Sequence, residues 1–326
     1  MENEFTKTTS QITAADRWDT FQARVGINRS LHRVRPGLYA LGSPTPDSPV
    51  FVTANYKLSF NALRASLAGV DGWILVLDTH GINVWCAAGK GTFGTNELVK
   101  RIESTGLKDI VNTRVLTLPQ LGATGVMAHI VKKRTGFKVE YGPVRAEDLK
   151  EYLFNGQATA AMRKVRFNIK DRLTLIPVDI INYFLPTLLA ALILYFLGGW
   201  FAVAAVVTSV LAAVVLFPIL LPWLPFHDFS VKGYLLGFVV MLPFMVQSWT
   251  NSTGPVWSRI LRLLPLALGY PVVTAFIALN FTGSSTFTSR TGVKKEIFAY
   301  IPVMGWFFGI SVAITLGLAA WKALGG

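Results

Sequence analysis

Along the chain the apolar positions fall into two regimes. Between residues 50 and 154, short apolar runs alternate with amphipathic stretches. Val50 to Ala54, Trp73 to Leu77, Arg114 to Leu118 and Phe137 to Glu140 read as strands. Leu58 to Leu67, Thr95 to Ser104, roughly 124–134 and Ala146 to Phe154 read as helices. Trp73-Ile74-Leu75-Val76-Leu77 is apolar without a break, the pattern of a parallel strand covered on both faces. Strand and helix alternating at this length predict a mainly parallel, doubly wound α/β sheet. Such sheets bind ligands at the carboxyl ends of their strands. Thr53-Ala54-Asn55, Asp78-Thr79, Leu118 to Thr124 and Tyr141-Gly142 should therefore share one rim.

The second regime starts near residue 176. Apolar spans at about 176–197, 200–224, 233–249, 260–281 and 298–321 mostly reach the roughly 20 residues a bilayer core requires, the third being marginal. An all-α transmembrane region of about five helices is expected. Arg163, Lys164, Arg166, Lys170 and Arg172 form a basic linker just ahead of it. With Arg290, Lys294 and Lys295 in the last loop, this charge predicts a cytoplasmic N-terminal domain, and Arg259 and Arg262 run weakly against the rule. The loop Thr282-Gly283-Ser284-Ser285-Thr286-Phe287-Thr288-Ser289-Arg290 is rich in hydroxyls and a candidate to close over a cytoplasmic ligand. Few ionisable groups lie within the spans, as suits an anchor better than a transporter. Residues 1–45 carry little pattern: a polar start with Glu2, Glu4 and Lys7 and no secretory signal, then Arg29, Arg33 and Arg35, then Ser43-Pro44-Thr45-Pro46. They read as a partly ordered arm. The expected division is an arm at 1–45, a cytoplasmic domain at 46–160, a linker at 161–175 and a membrane domain at 176–326.

Composition sharpens this division. The chain is 52% hydrophobic with a mean hydropathy of +0.46, too apolar for an ordinary soluble protein. Residues 1–172 hold 24 basic and 15 acidic residues, net +9, whereas 173–326 hold 7 and 3. The basic balance follows from the positive-inside bias and does not require a nucleic-acid partner. One cysteine in 326 residues excludes an intramolecular disulfide and suits a reducing compartment.

That cysteine sits in Asp78 to Thr95, DTHGINVWCAAGKGTFGT. Asn83 is a good N-cap for a helix of little more than one turn, with Gly89 as its stop. Cys86 then lies near a helix N-terminus, which, with Lys90 close by, favours an anion and hence the thiolate that binds metal. Several motifs fail here. Gly89-Lys90 is followed by Gly91, so there is no P-loop. One Cys and four scattered His cannot build zinc, c-type haem or iron–sulfur sites. Asp78-Thr79-His80 begins like the Asp-x-His-x-x-Gly motif of histidine-ligated cobalamin enzymes, but Asn83 holds the Gly position. Taken singly, Cys86 would be a small buried hydrophobe, Trp85 a core aromatic, Lys90 a solvated charge and His80 a loop residue.

Asn83-Val84-Trp85-Cys86-Ala87-Ala88-Gly89-Lys90 resembles the cap-helix signature of the mercury-methylating corrinoid proteins, Asn-Val/Ile-Trp-Cys-Ala-Ala/Gly-Gly-Lys, at all eight positions. Val52 to Lys57, Gln120 to Val126 and Tyr141 to Arg145 also look like that corrinoid domain, which occurs too in the corrinoid iron–sulfur protein of the acetyl-CoA pathway. The resemblance implies a Rossmann-like corrinoid-binding domain with Cys86 as the catalytic residue and lower axial cobalt ligand. It also implies a cofactor-binding rim of Thr53, Asn55, Asp78, Thr79, Asn83, Val84, Trp85, Ala87, Ala88, Gly89, Lys90, Gly91, Thr92, Gly122, Ala123, Thr124 and Gly125. Glycines on that rim would let backbone approach a flat macrocycle.

The implied reaction moves a methyl group from cobalt to inorganic mercury(II), an electrophile, so the methyl must leave with its bonding electrons. A thiolate opposite it donates density through the metal. Regenerating Co(I) needs electrons that this chain has no cluster cysteines to supply, so they must come from elsewhere, and the resemblance implies a small ferredoxin with two [4Fe–4S] clusters as partner. The methyl source implied is a methyltetrahydrofolate-linked pathway in an anaerobe, and the location the inner membrane, with lipid around the helices. Two further readings stand: a corrinoid methyl carrier of one-carbon and acetyl-CoA metabolism, and a membrane transporter or sensor with a cytoplasmic nucleotide-binding domain.

Overall fold

In a computed structural model the chain forms two compact units, Met1–Arg166 and Phe167–Gly326; the structure describes residues 5–28, 31–285 and 290–324. The first unit is built on six strands, β1 (Thr6–Thr8), β2 (Gly37–Leu41), β3 (Val50–Ala54), β4 (Gly72–Leu77), β5 (Val115–Leu118) and β6 (Lys138–Tyr141). Their order is β1-β2-β4-β3-β5-β6, and β4, β3, β5 and β6 are mutually parallel. Every residue of β3 and β4 is buried. Because side chains alternate across a strand, Val50, Val52, Ala54, Trp73, Leu75 and Leu77 feed one core while Phe51, Ile74 and Val76 feed the other. The continuous apolar run at 73–77 thus reports two covered faces. Helices α4 (Thr95–Ser104) and α6 (Ala128–Thr135) cover the first face through Leu98, Val99, Ile102 and Val131. Helices α2 (Lys57–Ser66) and α7 (Leu149–Asn155) cover the second through Phe60, Leu63, Leu149 and Tyr152. Each such side chain contributes about 1.5–3 kcal/mol.

The N-terminal residues differ from expectation. In place of a loose arm, α1 (Ala14–Arg24) and strands β1 and β2 belong to the unit, with β2 antiparallel to β4 and parallel to β1. Two causes hide them: β1 is a three-residue Thr-Lys-Thr edge strand, and α1 turns polar residues inward. Arg64 of α2, only 6% exposed, donates to the carbonyls of Thr9 and Gln11 and to Asp16 Oδ2, each at 2.7 Å. Asp19 of α1 meets His32 Nδ1 at 2.7 Å and Lys57 Nζ at 3.2 Å. Arg29 of the expected basic run lies outside the described residues, as do Glu2 and Glu4. The helix expected near 124 starts at Ala128, because Gln120–Gly122 form a 3-10 turn that runs into a loop holding Gly125. Within the expected linker, α8 (Ile169–Leu173) forms, started by a capping box of Asn168 and Asp171.

In the second unit four helical runs are long and apolar enough to cross a membrane: Ile169–Leu220, Phe229–Asn251, Val256–Ser284 and Thr291–Trp321. The first, 52 residues, would be roughly 78 Å long if straight. It is broken at Gly199, whose φ of 66° and ψ of −160° no helix contains. Residues from Ile180 to Ala191 and from Val203 to Val214 line one cavity, so the run folds back on itself as a hairpin and the four runs supply five apolar segments. The segments predicted at 176–197 and 200–224 are the two limbs of this hairpin. Between α11 (Phe229–Asn251) and α13 (Tyr270–Phe281) the contact depends on bare backbone. A Cβ on Gly233 would lie 2.5 Å from Ala278 Cβ, and one on Gly237 2.7 Å from Pro271 Cα, so small residues let the two helices approach closely. Ser209 Oγ donates to the Tyr270 carbonyl at 2.7 Å, and Thr274 Oγ1 to that of Ser209 at 3.0 Å. Residues 286–289 of the hydroxyl-rich loop lie outside the described residues.

The Arg64 clasp generates a stability prediction. Burial pushes the Asp16 carboxyl up, but hydrogen bonds from Thr13 and Arg64 outweigh it and bring the pKa down from 3.8 to about 2. A depressed carboxylate stabilises the fold above its unfolded pKa and loses that contribution as pH falls through the folded one. The clasp should therefore hold near neutrality and weaken between about pH 4 and pH 2. Arg64→Met leaves Asp16 without its main partner and should cost about 3 kcal/mol in chemical denaturation. It should also expose residues 6–24 to protease, and unchanged cleavage there would show that other contacts hold the segment.

Candidate functional site

The chain passes from β3 to β4 on one side and then to β5 on the other, so the sheet reverses its winding between β3 and β5. A crevice at the carboxyl ends of these strands follows from that topology. It is present as a cavity of about 310 Å³, walled by Thr53 of β3, Thr117 and Leu118 of β5, Pro119 and Leu121 beyond it, and Pro143 and Val144 after β6. Asn83 and the first residues of the cap helix α3 (Val84–Lys90), Val84 and Trp85, add to the wall, as do Ser59, Ala62 and Leu63 of α2 and Ala146 and Leu149.

Asn55 fixes where that helix begins. Fully buried one residue past β3, it accepts through Oδ1 from Thr79 N at 3.0 Å, Thr79 Oγ1 at 2.9 Å and Gly81 N at 3.0 Å. Its amide donates to Asp78 Oδ1 at 3.1 Å, and the Asp78 N–H donates to Glu97 Oε1 of α4 at 2.9 Å. Thr79 Oγ1 bonds the Ile82 carbonyl at 2.6 Å. Asn83 follows as N-cap, its side chain accepting from the Cys86 N–H at 2.9 Å. The helix runs two turns to Lys90 and stops at Gly91, whose φ of 83° is left-handed; the stop expected at Gly89 falls two residues later. Position 91 is where only glycine adopts the backbone without strain.

Two faces of α3 differ sharply. Val84, Ala87 and Ala88 are buried, while Trp85, Cys86, Gly89 and Lys90 are exposed. The small inward residues let the helix seat closely: a Cβ on Gly125 would lie 2.2 Å from the Phe93 carbonyl oxygen and 3.0 Å from Ala88 Cα. One on Gly122 would lie 2.5 Å from the Phe93 ring. Glycines 122 and 125 thus serve packing beneath α3. Gly89 is the contrasting case, with no neighbour within 4 Å of where its Cβ would be. Cys86, Gly89 and Lys90 share one helix face at i, i+3 and i+4, so the thiol stands beside a bare surface with an ammonium group one turn away.

The expected site residues therefore divide. Thr53, Asn83, Val84 and Trp85 line the cavity; Cys86, Gly89 and Lys90 form the exposed face; Ala87 and Ala88 lie under it. Asn55, Asp78 and Thr79 organise the loop that leads into the helix, and their polar atoms already bond one another. Gly91 ends the helix, Thr92 Oγ1 bonds the Ala87 carbonyl at 3.4 Å, and Gly122, Ala123, Thr124 and Gly125 form the neighbouring loop. His80 is exposed in a left-handed turn, 3.7 Å from Asp78. Among the described residues no three His, Cys, Asp or Glu gather in a metal-binding group. Sequence reasoning placed Tyr141 on the rim but missed Glu97. The signal for Glu97 was its i,i+4 spacing to Arg101, which it meets at 2.7 Å. Tyr141, whose hydroxyl burial pushes to higher pKa, donates to the Val126 carbonyl at 2.6 Å and ties β6 to the loop beside α3.

Residues 28–153 match the family described as the CO dehydrogenase/acetyl-CoA synthase delta subunit. Three relatives are gamma subunits of the acetyl-CoA decarbonylase/synthase complex. That of Methanopyrus kandleri is 38% identical over 128 residues, which is 38% of this chain and 27% of the relative. That of Archaeoglobus fulgidus is 36% identical over 123 residues, 37% and 26% of the two chains, and that of Methanocaldococcus jannaschii is 32% identical over 129 residues, 39% and 26%. The chain thus spans about a quarter of the length of the curated relatives it matches. The family match covers β2 to β6, the cap helix and the cavity, and ends before the second unit begins, so the likeness is that of the sheet domain and its site.

Proposed function

We propose that the first unit is a corrinoid-binding methyl-transfer domain in which Cys86 is the lower axial ligand of cobalt. One observation carries the reading: the sole cysteine is exposed on the cap helix, beside a glycine that leaves its surface bare, and the residues just before it, Asn83, Val84 and Trp85, line the cavity where the sheet changes winding direction. A corrinoid, when bound, supplies a metal that can hold and release a methyl group, tuned by the axial ligand. The chain's own residues do the rest. Asn83 locks the first turn through the Cys86 N–H, so the sulfur is held at a fixed point and not on a flexible loop. Gly89 gives a flat ring room beside the sulfur, and Thr53 and Asn83 offer polar contacts to a ring substituent entering the cavity.

For the methyl acceptor our reading is inorganic mercury(II), because an anionic sulfur beneath the metal suits delivery of a methyl group with its electron pair and because the cap-helix octapeptide resembles that of mercury methylators. A second reading, a methyl carrier in one-carbon metabolism, is favoured by the acetyl-CoA decarbonylase/synthase subunits that the chain resembles. On sequence likeness alone it is the stronger of the two. Under either, electrons come from a separate protein, for which a small ferredoxin with two [4Fe–4S] clusters and an acidic docking face would suit the basic domain. Four long apolar runs and the basic residues at 163–172 support a multi-pass protein of the inner membrane with this domain in the cytoplasm.

Two substitutions test the site. Cys86→Ala in the full chain should keep the fold but lose the thiolate-dependent absorption spectrum after anaerobic reconstitution with cobalamin, along with all methyl transfer; full activity in this variant would remove Cys86 from the reaction. Gly89→Leu should leave thermal stability unchanged or raised by up to about 1 kcal/mol, because glycine is a poor helix former. Cobalt retention should nevertheless fall at least tenfold, since the new side chain fills the bare surface; normal retention would place the ring elsewhere. The two acceptors separate in one assay: methylmercury formed from mercuric ion by the methyl-loaded wild type and not by Cys86→Ala supports the first. Cofactor loading without methylmercury, but with methyl transfer to an acetyl-CoA synthase subunit, gives the second.

A further inference from the structure

Helix α1 is turned inside out relative to an ordinary surface helix. Its inward face carries Asp16, Asp19 and Ala23, the two carboxylates being held by Arg64, Lys57 and His32. Its outward face carries Trp18 and Phe21, 62% and 51% exposed, with rings stacked at 5.5 Å and 22°. Just beyond the helix Ile27 and Leu31 are 45% and 63% exposed. Surface helices bury their apolar stripe and solvate their charges, and here the fold spends its ion pairs inside and leaves two aromatic rings in water. None of these four side chains belongs to either core of the unit, so folding does not account for them. Arg17 and Arg24 on α1, and Arg33 and Arg35 shortly after it in the chain, are exposed, and among the described residues none of the four forms an ion pair with a carboxylate.

We infer that this face docks on the anionic surface of a bilayer, Trp18, Phe21, Ile27 and Leu31 entering the headgroup boundary while the four arginines meet lipid phosphates. Aromatic and aliphatic groups together with unpaired arginines match an interface that is apolar below and negative above. The inference rests on the membrane reading of the second unit, which would keep a bilayer within reach of every molecule. It explains why the acidic residues face inward: outward they would be repelled by the lipid they approach. An acidic protein surface is the competing occupant, and the test separates the two.

The full chain is reconstituted in nanodiscs of phosphatidylcholine, with or without 30% phosphatidylglycerol, carrying Phe21→p-benzoylphenylalanine, an exposed position where the photoreactive ring needs no repacking. Illumination and mass spectrometry then report what lies against position 21. Docking predicts a lipid adduct in the anionic discs that falls in the neutral discs and at high salt. Each arginine at such a surface changes the docked-to-free ratio about fivefold, so Arg17→Gln with Arg24→Gln should lower that ratio roughly 25-fold. A chain that enters the discs yet gives no lipid adduct, or equal adduct with both lipids, overturns the docking inference alone. Adducts found only on an acidic protein added to the discs also overturn it. A chain recovered outside the discs overturns both the docking and the membrane reading.

Discussion

One buried amide governs the geometry of the site. The Thr79 and Gly81 N–H groups converge on Asn55 Oδ1, the Thr79 hydroxyl shares its one hydrogen between that oxygen and the Ile82 carbonyl, and the Asn55 N–H itself bonds the Leu77 carbonyl at 3.0 Å. The ends of β3 and β4 are thereby joined to the turn that follows β4, and that turn delivers Asn83 to the N-cap. Buried donors left without an acceptor cost about 1–3 kcal/mol each, so the turn has one satisfactory arrangement and the helix one starting point. Everything the cap helix offers to a ligand, including the direction of the Cys86 side chain, is inherited from this arrangement.

The cap helix is held from below by size and from above by nothing. Ala87, Ala88, Gly122 and Gly125 allow backbone to pack at distances that any larger residue would forbid, whereas Gly89, on the opposite face, touches nothing. In an unliganded surface helix a glycine at such a position only lowers helix propensity. Its presence beside the lone thiol makes sense if something broad and flat lies against the helix, and that is the link between packing and chemistry at this site.

Much of this was legible in the sequence, and the exceptions have physical causes. Strands β3 and β4 announced themselves because burial on both faces demands unbroken apolar runs, and α4 matched at both ends because its apolar positions repeat at helical spacing. The octapeptide at 83–90 pointed to the helix and to its solvent-facing thiol. Residues 1–45 were opaque because their order depends on Arg64, more than fifty positions from Thr9 in sequence, and no local pattern records such a bond. The hairpin at Gly199 was visible as Gly198-Gly199 between two apolar spans, but only the structure shows the two limbs walling one cavity. The packing of Gly122 and Gly125 against Phe93 and Ala88 was not legible, because a glycine in sequence does not say whether its missing side chain makes room for a ligand or for the protein itself.

The same distinction applies at larger scale. A folded domain buries what it needs, and apolar or nucleophilic groups left in water are the ones folding did not require. Phe5, Met127 and Phe154 are exposed in the first unit as well, but two groups there bear on binding: Cys86 with Gly89 on α3, and Trp18 with Phe21 on α1. Each rests on an underside that is unusually well fixed, α3 by close glycine packing and α1 by ion pairs to Arg64 and Lys57. Rigid support beneath an exposed group reduces the entropy lost when a partner binds it. A loose arm carrying Trp18, or a flexible loop carrying Cys86, would hold the same atoms and bind more weakly. The order found in α1 and in the cap helix is therefore itself an argument that their outward faces are surfaces for binding.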